Sequence, residues 1–214
     1  MYQLEDEARL GEIAGRSPRS RRLAKVRDGV AGNGRLTGAV AVALLVLLAA
    51  EGVTIPFIGQ LLGPHIFIGM LLLGPVALKL GSTGYRFARY YAGSPAYVEK
   101  GPPPLALRVL APGVVLTTLV LFGTGIALLV AGPPSNTLKF AHKAAFIAWF
   151  ALMAVHVLGH LLELPSLALP DWRRAGPREA RLAGAGSRTL ALAGSLVVGL
   201  LIALLTIPAA GAWL

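Results

Sequence analysis

Residues 141–164 read AHKAAFIAWFALMAVHVLGHLLEL, an apolar run broken by one lysine, one glutamate and three histidines. The run exceeds the ~20 residues that an α-helix needs to cross the hydrocarbon core of a bilayer. It lacks the period-2 or heptad interruptions of soluble elements. On one helix, His142 and His156 stand fourteen residues apart, about 21 Å along the axis at ~1.5 Å per residue. Fourteen steps of ~100° leave them only about 40° apart in azimuth. One helix face therefore carries an imidazole near each side of a membrane. Ionisable side chains at such depth are costly, and they mark function by default.

Working outward, five spans are expected: 36–55, 65–85 with a polar-aromatic continuation to 91, 105–130, 138–164 and 190–207. Proline or glycine marks the ends, at Pro56, Gly101-Pro102-Pro103-Pro104, Gly132-Pro133-Pro134, Pro165 and Pro208. The 214-residue chain is 55% hydrophobic and 14% charged, with mean hydropathy +0.68. A soluble domain of this size cannot bury several all-apolar helices. The expected fold is all-α, a polytopic membrane bundle of five transmembrane helices. Residues 1–35 form a basic cytoplasmic segment and 36–210 one transmembrane domain, placed in the cell (inner) membrane as a multi-pass protein.

The formal charge of +10 is distributed by topology. Eight of the twenty Lys/Arg precede the first span. Arg86, Arg89, Lys100 and Arg108 cluster around the second connection, and Arg173, Arg174, Arg178, Arg181 and Arg188 around the fourth. The other side has only Lys139 and Lys143. The positive-inside bias predicts a cytoplasmic N-terminus and an outside C-terminus. The cluster Arg19, Arg21, Arg22, Lys25 and Arg27 suits anionic headgroups better than nucleic acid, which we exclude as a partner. Charge spread over residues 16–27 and a long following run also argue against a cleavable signal peptide. Cysteine is absent, which removes disulfides, thiolate-held iron–sulfur clusters and covalent c-type haem.

Orientation sorts the histidines by depth. His65 opens the second span and His142 the fourth, and both helices run inward, so the two lie level. Two neutral imidazoles on neighbouring helices can fill both axial positions of a b-type haem. Fourteen residues further inward lie Lys79 and His156, again level. The paired spacings, His-x13-Lys and His-x13-His, resemble the transmembrane haem-b superfamily, which includes ferric-reductase-like proteins and bacterial cytochrome b subunits. In that family two helices each offer two histidines and clasp two haems. The resemblance covers spans two to four. It implies haem iron at His65, His142 and His156, and Lys79 departs from the fourth ligand position.

Other residues keep more than one reading. Lys79 is an inner haem ligand, a propionate partner or a snorkelling interfacial lysine. His160 is an alternative inner ligand, a hydrogen-bonded interfacial histidine, or with His156 and Glu163 part of a metal site. Lys139 and Lys143 on the outer side, and Arg86 and Arg89 on the inner, are candidate propionate partners. Gly69 and Gly74 would let a flat macrocycle approach span two, and Pro75 would kink it. Trp149 and Phe150 lie between the candidate haems in depth or simply pack. Gly81-Ser82-Thr83-Gly84 offers a small-residue packing face. The expected function is electron transfer by one or two haems b, with quinone or a partner oxidoreductase as donor or acceptor. Membrane lipids are the immediate surroundings, and a homo-oligomer is compatible with this reading. The competing expectation is a cofactor-free transporter or anchor using Glu51, Lys79 and His156.

Overall fold

Prolines and glycines set the helix ends, and the apolar runs between them fold as uninterrupted helices. The computed structural model describes residues 18–102, 104–133, 135–160 and 184–213, with backbone alone for 18–28. It contains α1 (Pro18–Thr54), α2 (Ile58–Tyr91), a short α3 (Pro95–Lys100), α4 (Leu105–Ala131), α5 (Asn136–His160) and α6 (Ala185–Thr206). A 3-10 segment, Ile207–Ala212, follows α6. Five helices are long and apolar enough to cross a membrane, and no strand occurs among the described residues. The expected all-α five-helix architecture is the one observed.

The boundaries depart from expectation in three places. Helix α1 begins at Pro18, so the basic segment continues into the first span as one helix. Helix α2 begins at Ile58, ahead of His65, and passes through a non-helical Leu61 (φ −111°, ψ 22°). Its bend lies there, next to Pro64, and Pro75 sits further along in regular helix. Residues 95–100, expected as loop, form α3. The last α-helix ends at Thr206, just ahead of Pro208 as expected, and a 3-10 segment follows with Pro208 in its first turn, where a missing N–H is tolerated. The expected fourth span continues beyond His160 into residues outside the described set, as do Glu163 and the arginines 173–181.

Two hairpins organise the bundle. Residues 55–57 join α1 to α2, and 132–135 join α4 to α5, at the same face. Gly132 makes the second turn possible: at φ 67° its N–H caps the carbonyl of Leu128, a conformation that favours glycine. We call this the hairpin face; Arg86, Arg89, Lys100, Arg108 and Arg188 lie toward the opposite, basic face. Helices α1, α2 and α6 pack together around the fully buried Leu72 and Val40, with Ala39, Leu44 and Leu192. A second cluster of Met70, Leu129, Ala203 and Ala210 seats the 3-10 segment on the hairpin face. Helix α5 packs on α4, while α2 and α5 are not packed along each other.

The α2–α6 contact is the closest in the bundle, and its cause is local. Pro75 has no N–H for the carbonyl of Leu71. That carbonyl faces Gly199 of α6, where an added Cβ would lie 2.0 Å from the oxygen. Reciprocally, a Cβ on Gly74 would lie 2.0 Å from the Ser195 carbonyl. Backbones this near place Cα–H groups against carbonyl oxygens, which matters where no water can satisfy a freed acceptor. Ser195 and Gly199 form the small-x3-small pair of membrane helix interfaces. Gly74 thus serves helix packing rather than the macrocycle approach expected from sequence.

Candidate functional site

In each hairpin a histidine early in the second helix meets a threonine of the first helix. His65 lies seven residues into α2, and His142 six residues into α5. The shared starting face and similar offsets put them level, as expected from sequence. Their ring centroids are 6.4 Å apart with planes at 80°. The two rings meet across helices that pack little on each other.

The hydrogen bonds determine which nitrogen of each ring carries the proton. His65 Nδ1 lies 2.9 Å from Glu51 Oε1 and 2.9 Å from Thr54 Oγ1. The Thr54 hydroxyl donates its one hydrogen to the Glu51 carbonyl at 2.6 Å, so toward His65 its oxygen accepts. Both neighbours are acceptors, and Nδ1 of His65 is the N–H that they share. At His142, Nδ1 lies 3.0 Å from Thr124 Oγ1. The Thr124 hydroxyl hydrogen is directed at the carbonyls of Val120 (2.8 Å) and Leu121 (3.0 Å), so Thr124 also accepts the imidazole N–H. In a neutral imidazole with a protonated Nδ1, Nε2 keeps its lone pair. In both rings the lone pair is then left on Nε2, and the Leu121 backbone also hydrogen-bonds the His142 ring. This outer arrangement of ligand and oriented partner is the one metal-binding histidines require.

The spacing suits one metal between the rings. A metal–imidazole bond of about 2 Å, plus about 1.1 Å from nitrogen to ring centre, puts two trans rings about 6 Å apart. Among the described residues no group of three or more His, Asp or Glu side chains could hold a metal ion by itself. Gly125 of α4 faces the His142 ring, where a Cβ would lie 3.2 Å from Cε1. Gly69 of α2 faces Glu51 Oε1, 3.6 Å from where its Cβ would lie. The glycine that borders the His142 ring is therefore Gly125, which carried no flag in the sequence.

Lys139, one turn before His142, holds its ammonium over the Trp213 ring, 5.1 Å from the centroid. The buried Trp213 Nε1 has no hydrogen-bond partner among the described residues. A cation and an N–H donor thus stand together at the hairpin face. Lys143 is exposed.

Toward the basic face the expected partners are less well matched. His156 and His160 stack edge to face at 4.8 Å on the same helix. Rings one turn apart on one helix cannot lie on opposite sides of one iron. The buried Nδ1 of His156 has no hydrogen-bond partner among the described residues. Lys79 donates from Nζ to the Thr37 carbonyl at 2.9 Å. It belongs to a polar seam between α1 and α2, in which Asn33 Nδ2 donates to the Ser82 carbonyl and Ser82 Oγ to that of Lys79. Ser82 is buried there, while Gly81 and Gly84 face open space. Lys79 still lies within electrostatic range of His156.

Arg86 and Arg89 gather around Tyr97, and Arg89 also donates to Ser94 Oγ at 3.1 Å. Arg108 donates to the Tyr91 hydroxyl and lies over its ring. These contacts gather arginines and tyrosines at the basic face. Trp149 is buried between α4 and α5 and donates from Nε1 to Thr118 Oγ1 at 3.0 Å; Phe150 is 60% exposed.

Sequence reading reached both histidines of the pair but missed Thr54, Thr124 and Trp213, and it did not connect Glu51 with His65. The signal available was a threonine or glutamate on each preceding helix at the depth of its histidine. No family model matches the chain, and no curated protein or solved structure is similar to it.

Proposed function

We propose that the chain is a membrane cytochrome b in which His65 and His142 are the axial ligands of one haem near the hairpin face. The observation that carries this reading is the pair of level imidazoles with Nδ1 engaged, 6.4 Å between centroids, on helices that pack little on each other. When bound, the haem supplies a one-electron couple; the protein fixes ligand identity, burial and hydrogen bonding, the usual determinants of potential. Lys139 and the Trp213 N–H would hold its propionates. Membrane lipids surround the apolar helices. The electron donor and acceptor would be a partner oxidoreductase or a quinone. With the positive-inside bias, His65 and His142 would hold the haem toward the outer surface of the cell membrane, where a quinone or partner could exchange electrons with it.

A second, inner haem would rest on His156, with Lys79 released from Thr37 or a ligand from another chain copy opposite it, and with Arg86 as a propionate partner. His160, beside His156, competes for the same side of such an iron.

The test is an oxidised and dithionite-reduced absorption spectrum of detergent-purified protein, with a pyridine haemochrome assay for haem per chain. One haem per chain, lost in His65→Ala and in His142→Ala but kept in His156→Ala, is the expected result. Two haems would assign the inner site. No haem from cells with ample haem supply overturns the reading and favours a transporter or anchor built on Glu51, Lys79 and His156.

A further inference from the structure

The two axial candidates differ in what holds their Nδ1–H. His65 donates to a carboxylate, Glu51 Oε1 at 2.9 Å, whereas His142 donates to a neutral hydroxyl, Thr124 Oγ1 at 3.0 Å. Glu51 comes from α1 and is largely buried, with 14% of its side chain exposed. Its other oxygen, Oε2, is buried with no hydrogen-bond partner among the described residues. The Thr54 hydroxyl serves the backbone carbonyl of Glu51, not its carboxylate. The carboxylate's hydrogen bond is therefore concentrated on His65. Gly69 keeps the space beside Oε1 free of a side chain.

We propose that Glu51 is a positioning residue that acts through His65: it locks the Nδ1–H tautomer and makes His65 a stronger donor to the haem iron than His142. The inference rests on the haem reading above. An imidazole whose N–H is held by a carboxylate gains negative character at Nε2, and outer partners of this kind raise ligand basicity. A stronger donor stabilises ferric over ferrous iron. Charge-assisted hydrogen bonds are roughly twice as strong as neutral ones. Exchanging the carboxylate for a carboxamide keeps size and removes the charge.

The experiment is a potentiometric titration of the haem absorption in the purified full chain, for wild type, Glu51→Gln and Glu51→Asp. Haem per chain is measured first; wild type without haem defeats the functional reading itself, before this inference is reached. With haem present, Glu51→Gln should favour the ferrous form by about tenfold, or about 59 mV for one electron. Glu51→Asp, which keeps the carboxylate, should stay near wild type. If Glu51→Gln loses haem while Glu51→Asp retains it, the need for the carboxylate stands. If Gln and Asp variants behave alike, in potential or in haem loss, the inference is overturned and the haem reading survives.

Discussion

Replacing Gly199 by alanine tests the tightest packing in the bundle, and with it the placement of the helix that carries His65. The added Cβ would lie 2.0 Å from the Leu71 carbonyl oxygen. Ordinary contact begins near 3.4 Å, so α2 and α6 must part by about 1.4 Å along that line. Neither partner is a flexible side chain, and the neighbouring Leu72 is fully buried, so no rotamer change relieves the overlap. Overpacking of this kind costs about 1–3 kcal/mol, against a gain of about 1 kcal/mol from alanine's helix propensity. We expect net destabilisation of up to about 2 kcal/mol for Gly199→Ala and for its reciprocal, Gly74→Ala. Gly194 on α6 and Gly81 on α2 face open space. Alanine there should be neutral or stabilising by up to about 1 kcal/mol. Equilibrium unfolding of the four variants in one detergent, followed by circular dichroism, separates the two classes. Equal stability of Gly199→Ala and Gly194→Ala would refute the close approach and the role given to the Leu71 carbonyl.

Thr124→Val removes the acceptor at His142 Nδ1 while keeping shape; haem affinity should fall about 10–100-fold with helix content unchanged, read by haem titration of apo-protein. The perpendicular rings of His65 and His142 predict a strongly anisotropic low-spin ferric signal with one dominant large-g feature. A three-line rhombic spectrum would place the rings parallel instead. Trp149→Phe deletes the buried bond to Thr118 and should cost about 0.5–1 kcal/mol in the same unfolding assay, with haem content unaffected. The Tyr97 phenol is pushed above its usual value by burial, then by the charge and hydrogen bond of Tyr85. A phenol raised on folding stabilises fully below about pH 10 and loses that contribution as pH rises further. Tyr97→Phe should therefore blunt alkaline unfolding above that pH, and an unchanged alkaline profile would exclude Tyr97 as its source.

Depth was legible in the sequence because it follows from helix rise alone: two apolar runs that start at one membrane face place residues of equal offset level. His65 and His142 came together on that ground. What the sequence does not carry is azimuth between helices. Lys79 and His156 are also level, yet Lys79 reaches across to Thr37 on α1, because α2 turns that face toward α1. Gly74 illustrates the same limit. Its missing side chain signals close approach, but only the packing tells whether the approaching group is a cofactor or the Ser195 backbone. Hydrogen-bond partners such as Thr54 and Thr124 were hidden for a further reason: a threonine near the end of an apolar helix ordinarily bonds back to its own carbonyls. Both do so here, and that back-bond is what leaves their oxygens as acceptors and sets the imidazole tautomers. A residue that looks locally satisfied on one helix thereby fixes the chemistry of a histidine on the next, and each hairpin contains one such pair. The site is assembled from two local solutions at a common depth, which is why it needs little packing between α2 and α5.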